Sequence, residues 1–148
     1  METSLYNMIT AIVAIASLVG TSVLAIITLA CESKENRKLH KLTIFSEYTK
    51  RYNDIMFKMP EEVFAKEAIL TKETRKYARL YFNLCSEEYY LFEHKLVNEE
   101  IWNNWDTGIA TRMKSPTLQE EWKCLQEEYN TKFRQHMNEI INHNIKSA

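Results

Sequence analysis

The chain has 148 residues, 45% of them apolar and 26% charged, with a formal charge of −1 and only two glycines and two prolines. That length accommodates one modest domain and one small extra element. So few Gly and Pro exclude strand-and-turn-rich sandwiches and barrels and argue against a loop-built enzyme site, because tight turns draw on those residues.

The charge is arranged in blocks. From Thr3 to Cys31 there is none; residues 32–79 carry twelve Lys and Arg against eight Asp and Glu, and residues 80–148 carry seven against eleven. The apolar head is the strongest signal. Leu5 to Ala30 is 26 residues without a charge, and about 20 apolar residues suffice for a helix to cross the hydrocarbon of a bilayer. The spacing and composition predict a transmembrane anchor over 1–31, with the span at about 5–30. A cleaved signal peptide requires a basic leader and a shorter apolar stretch, and residues 1–8 contain no Lys or Arg. Lipidation at Cys31 is the competing case, and the missing basic leader weighs against it too. Lys34, Arg37, Lys38 and Lys41 follow the span and no basic residue precedes it. Basic flanks stay on the cytoplasmic side, so the N-terminus is expected outside and the remainder in the cytoplasm, with this flank against anionic headgroups. Cys31, Cys85 and Cys124 are widely spaced with no C-x-x-C pair, as suits a reducing compartment. Within the span, Ala16, Ser17, Gly20, Thr21 and Ala25 recur at four-residue steps, a pattern that lets two helices approach closely; a lipid-facing, small-residue-tolerant surface explains them as well.

Beyond the span, Leu39, Leu42, Phe45, Tyr48, Tyr52, Ile55 and Met59 mark one face of a juxtamembrane helix over 32–59. This helix either continues the span or is separated from it by a break near Glu32–Asn36. Residues 60–148 are expected to form a helical domain packing with 38–59. Pro60, followed by Glu61 and Glu62, opens a short helix with Val63, Phe64 and Ile69 on its apolar face. Thr71 caps a helix over about 72–97 whose stripe is Tyr77, Leu80, Tyr81, Leu84, Leu91 and Phe92. Asn98 caps the next, with Ile101, Trp102, Trp105, Ile109 and Met113, and Gly108 marks a break inside it. Ser115-Pro116 starts a last helix over about 116–143 carrying Leu118, Trp122, Leu125, Tyr129, Phe133, Met137 and Ile140. The fold class is therefore all-α: one N-terminal transmembrane helix followed by a small cytoplasmic domain of four or five helices. Sixteen of the seventeen aromatic residues lie after the span, and such side chains are assigned first to the core.

The stretch Arg79–Phe92, then Leu96-Val-Asn-Glu-Glu-Ile-Trp-Asn-Asn-Trp105, Ser115-Pro116, Trp122, Tyr129 and Phe133 resembles small bacterial and prophage-associated single-pass membrane proteins with a helical cytoplasmic domain of unknown function. The resemblance covers about residues 38–141 and implies a bacterial origin, a membrane location and no established catalysis.

No phosphate-cradling glycine loop, H-E-x-x-H or paired C-x-x-C pattern is present, so no cofactor is expected. His136, Glu139 and His143 share one helix face by their spacing and are the one candidate metal set; a solvated face near a frayed terminus is the plainer reading. Glu87/Glu88, Glu99/Glu100, Glu120/Glu121 and Glu127/Glu128 lack the paired Glu-x-x-His of a di-iron site. Cys85 and His94 lie 2.5 turns apart and so on opposite faces. Lys72, Arg75, Lys76 and Arg79, interleaved with Tyr77 and Tyr81, could contact nucleic acid, but residues 32–148 sum to zero charge, against the basic balance such proteins show. The expected function is a membrane-tethered helical module acting by protein–protein interaction, as an adaptor, sensor or regulator. It would bind the lipid bilayer and a protein partner, or itself through the span, with the acidic distal helices as a partner surface. The alternatives are a metal-dependent membrane-bound hydrolase using the His136 face and a toxin- or holin-like membrane-active protein.

Overall fold

The computed structural model describes the backbone of residues 2–146 and the side chains of residues 21–146. Its elements are α1 (Glu2–Lys58), α2 (Lys72–Glu93), α3 (Glu99–Arg112), α4 (Pro116–Leu125) and α5 (Thr131–Lys146), with 3-10 turns at Glu61–Phe64 and Gln126–Glu128. No strand occurs among the described residues, as the all-α expectation requires. The chain divides into two units, Met1–Leu42 and Thr43–Ala148.

The first unit is the N-terminal part of α1. Helical structure is assigned through Glu32–Asn36, where a break was the competing expectation. The end of the uncharged run, residues 21–30, is exposed throughout, with Leu24, Ile26 and Leu29 each 66% accessible. Among the described residues, no helix is long and apolar enough to cross a membrane. Residues 5–20 of the expected span, including Ala16, Ser17 and Gly20 of its small-residue face, lie outside the described side chains.

The second unit packs the last turns of α1 with α2 to α5. Thr71 caps α2 in a reciprocal pair with Thr74: the Thr74 amide donates to Thr71 Oγ1 at 3.0 Å, and the Thr71 amide donates to Thr74 Oγ1 at 2.7 Å. Asn98 Oδ1 accepts from the Ile101 amide at 3.1 Å and Ser115 Oγ accepts from the Leu118 amide at 3.2 Å, satisfying helix-start donors that otherwise lack partners. The core centres on Trp122, 1% exposed, which meets Phe82 and Phe133 edge-on at 5.1 and 5.7 Å. Its indole N–H donates to Asn138 Oδ1 at 2.9 Å. Val63 is fully buried while Phe64 stays 46% exposed, so the short 60–64 segment buries one of its two large apolar side chains. The Ser115 hydroxyl donates to the Val63 carbonyl, and the Ile69 amide donates to Thr117 Oγ1 at 3.0 Å; together they fasten the 60–71 connection to the start of α4.

Three boundaries differ from expectation. Helix α2 stops at Glu93 rather than Val97, because Lys95 adopts a left-handed φ of 58°. The Lys95 amide donates to the Phe92 carbonyl and the Leu96 amide to the Leu91 carbonyl, both at 2.9 Å. This is a Schellman closure with lysine in the position usually held by glycine. The expected single helix over 116–143 is two helices, since Asn130 Oδ1 accepts from the Phe133 amide at 2.9 Å and caps a new start. Gly108 marks no break: α3 runs through it. On α2 the expected stripe is shifted: Leu80 is 43% exposed, whereas Phe82 and Cys85 are fully buried.

Candidate functional site

The Thr43–Ala148 unit contains a cavity of about 230 Å³ between the end of α1, α2 and α3, lined by Phe45, Thr49, Tyr52, Tyr81, Glu88, Asn104, Trp105, Gly108 and Ile109. Helical spacing brings these residues together. Phe45, Thr49 and Tyr52 fall four and three residues apart on α1; Tyr81 and Glu88 lie two turns apart on α2; Asn104, Trp105 and Gly108 share one turn of α3. The Phe45 ring stacks on Trp105 at 6.3 Å, with Tyr48 tilted against the same indole at 5.4 Å. One turn along α3 from Trp105, Gly108 leaves open space: apart from its own helix backbone and chain neighbours, no heavy atom stands within 4 Å of where a Cβ would be.

Two polar residues, Tyr81 and Glu88, line this space. The Tyr81 hydroxyl is buried and, among the described residues, makes no hydrogen bond of normal geometry; burial foremost, and then the adjacent Cys85 thiol, hold its pKa well above the usual phenol value. Glu88 is 4% exposed, and burial raises its carboxyl to about 8, with Arg51 lowering and Glu87 raising it. The nearest cation is committed elsewhere. Arg51 holds the neighbouring Glu87 in a two-pronged pair at 2.6 and 3.0 Å; the Tyr48 hydroxyl donates to the same carboxylate at 3.2 Å. These hydrogen bonds, that of Arg51 foremost, keep Glu87 below the ordinary carboxylate range. An interior acid therefore sits beside an ion pair that excludes it. Cys85, one turn before Glu88, is fully buried, and burial pushes its thiol pKa well up, so it is a poor nucleophile. His94 is exposed, and no contact joins it to Cys85.

The residues singled out from sequence fall elsewhere. Among the described residues no group of three or more His, Cys, Asp and Glu side chains is placed to hold a metal ion. His136 and His143 line one shallow surface with Glu139, but His136 Nε2 is engaged by Asp106 Oδ1 at 2.7 Å and its ring stacks on Tyr89 at 5.2 Å. One of the three candidate side chains is thus used in holding α5 to α3. Three of the four cations proposed for nucleic acid are paired, Arg75 with Glu121 at 2.8 Å, Arg79 with Glu128 at 2.6 Å and Lys76 with Glu73 at 4.0 Å. Glu121 is fully buried and also lies 3.5 Å from the Thr74 hydroxyl. In the first unit, Lys34, Arg37 and Lys38 are exposed and Lys41 partly so, with Arg37 donating to Ser33 Oγ at 3.2 Å. Thr21 and Ala25 are exposed on the same helix.

Sequence reasoning passed over the cavity because its walls look like an ordinary core stripe. The available signal was Glu88 itself: it stands seven residues after Tyr81 and three after Cys85, so an ionisable residue occupies the register of the buried face. No protein-family model, curated protein or solved structure matches the chain.

Proposed function

We propose that the protein is a single-pass, membrane-tethered helical module that acts by binding, as an adaptor, sensor or regulator. The observation that carries this reading is the uncharged run Leu5–Ala30 ahead of a separately packed helical unit. Exposed Leu24, Ile26 and Leu29 at the end of that run leave apolar surface that water does not favour and lipid does. The basic flank Lys34, Arg37, Lys38 and Lys41 sets the C-terminal unit in the cytoplasm and provides attraction to anionic headgroups. Self-association through Ala16, Ser17, Gly20, Thr21 and Ala25 belongs to the same reading, as does the bacterial, prophage-associated setting that the resemblance implies.

A binding role without catalysis is supported by the engaged His136, the buried Cys85 and the scarcity of glycine for a substrate loop. On the acidic distal helices, Glu120, Glu127 and Glu128 are paired with the chain's own cations. Exposed apolar groups are better placed as a partner surface: Phe57 is 91% accessible, with Phe64 and Leu70 at 46% and 50%.

Cys31 and Cys124 are exposed and Cys85 is buried, which gives a direct test of placement. A membrane-impermeant maleimide applied to intact cells should label neither exposed thiol, and permeabilisation should expose Cys124 at once. Labelling of Cys124 in intact cells overturns the orientation.

A further inference from the structure

We propose that the cavity between α1, α2 and α3 is a binding site for a small organic ammonium ion, with Glu88 as its counter-ion and the rings of Phe45, Tyr52 and Trp105 as its walls. Glu88 is 96% withdrawn from solvent and lines an open volume, and among the described residues the nearby cation Arg51 forms its ion pair with Glu87 instead. An ionised carboxylate withdrawn from water is costly, so Glu88 keeps its proton while the site is empty, and a ligand that brings a positive charge into the cavity would favour the ionised form. Arg51 cannot supply that charge, being held in both prongs by Glu87. Arg112 cannot either: its Nε donates to the Tyr52 hydroxyl at 2.9 Å, its guanidinium lies over the Phe64 ring at 5.3 Å, and it does not line the cavity.

The walls suit a cation as well as the acid does. Aromatic faces carry negative potential and attract ammonium groups, most strongly when water is excluded. An anion would meet the same faces and an acidic group, and a neutral ligand would gain nothing from the ionised carboxylate. Size narrows the class. About 230 Å³ falls below the roughly 300–1,000 Å³ of drug-sized pockets, so the ligand is a compact alkyl or cycloalkyl amine rather than a nucleotide or a peptide. The Tyr81 hydroxyl and Asn104 offer it secondary polar contacts. This site lies wholly within the Thr43–Ala148 unit and is independent of the anchor.

Binding is linked to protons. Ammonium pairs with the ionised carboxylate, whereas free Glu88 holds its proton up to about pH 8. The charged and titratable groups around it are Arg51 and Tyr52 on α1, Tyr81, Cys85 and Glu87 on α2, and Arg112 on α3. Glu87 is held low and Tyr81 and Cys85 are held high, which leaves Glu88 as the shifted group that changes charge between pH 6 and 8. Affinity for an amine that stays protonated should therefore rise roughly tenfold per pH unit below pH 8.

The test is calorimetric titration of the full chain in detergent micelles with cyclohexylammonium and with its neutral analogue cyclohexanol, at pH 6, 7 and 8. The expected result is at least tenfold tighter binding of the ammonium, rising with pH, with quenching of tryptophan fluorescence from Trp105. Glu88→Gln keeps the shape and should abolish both the preference and the pH dependence. Gly108→Leu, at a position with free space, should block binding while far-UV circular dichroism remains unchanged. Should that variant misfold, Glu88→Gln alone decides. Equal binding of both compounds, an ammonium signal unaffected by Glu88→Gln, or no binding of the ammonium at pH 8 overturns the proposal.

Discussion

Glu88 makes the second unit's stability depend on pH in an unusual direction. Its carboxyl is raised from 4.5 to about 8 in the folded chain. Below pH 4.5 it is neutral in both states and its contribution is fully present. Between 4.5 and 8 the unfolded chain releases the proton and the folded chain keeps it, so stability falls as pH rises through that window. The total is on the order of 5 kcal/mol. Glu87 works oppositely: its pair with Arg51 is present above the ordinary carboxylate range and is lost on strong acidification. The full chain in micelles, unfolded with urea at pH 5 and pH 8, should lose stability at the higher pH, and Glu88→Gln should flatten the difference. A wild-type midpoint that rises over this interval would contradict the buried state of Glu88. Gly108 is the second informative residue. It lies inside α3 with an unencumbered Cβ direction and no positive φ. Gly108→Ala should therefore stabilise the fold by about 1 kcal/mol through helix propensity, seen as a rise in Tm.

The helices were legible in the sequence where a side chain announces an end. Thr71, Asn98 and the Ser115-Pro116 pair each carry a cap or a proline suited to a first turn, and all three helices begin there. The end of α2 was not legible. Its stop depends on Lys95 in a left-handed conformation, and a lysine gives no local warning of that. Tertiary packing and the two closing hydrogen bonds outweigh the cost of the conformation. Lys95→Gly should relieve that cost and stabilise the chain by about 1 kcal/mol, measured by the urea midpoint; a loss of stability would show that the lysine side chain contributes more than the backbone strain removes. The split between α4 and α5 was hidden in a different way. Leu118, Trp122, Leu125, Tyr129, Phe133, Met137 and Ile140 keep helical spacing across it, so periodicity alone carries straight through Asn130, whose cap decides the boundary. The cavity escaped for the same reason: Tyr52, Tyr81 and Trp105 occupy stripe positions, and no one-dimensional pattern distinguishes a wall from a filled core.

At the scale of the molecule, the charge blocks acquire a meaning that the sequence did not disclose. Residues 32–79 are basic and residues 80–148 acidic, and within the second unit the two meet: Arg51 pairs with Glu87, Arg75 with Glu121 and Arg79 with Glu128. Three of the eleven acidic residues of the second block thus meet cations of the first. Most of these pairs are partly exposed and individually worth under about 1 kcal/mol, so their value lies in orienting elements distant in sequence. The tethered-module reading depends on the apolar head and its basic flank, which belong to the first unit. Alkaline carbonate extraction of native membranes tests it most directly. The full chain should stay with the membrane pellet, and a version lacking residues 1–31 should pass to the supernatant. Full-length chain released into the supernatant by carbonate would contradict the reading.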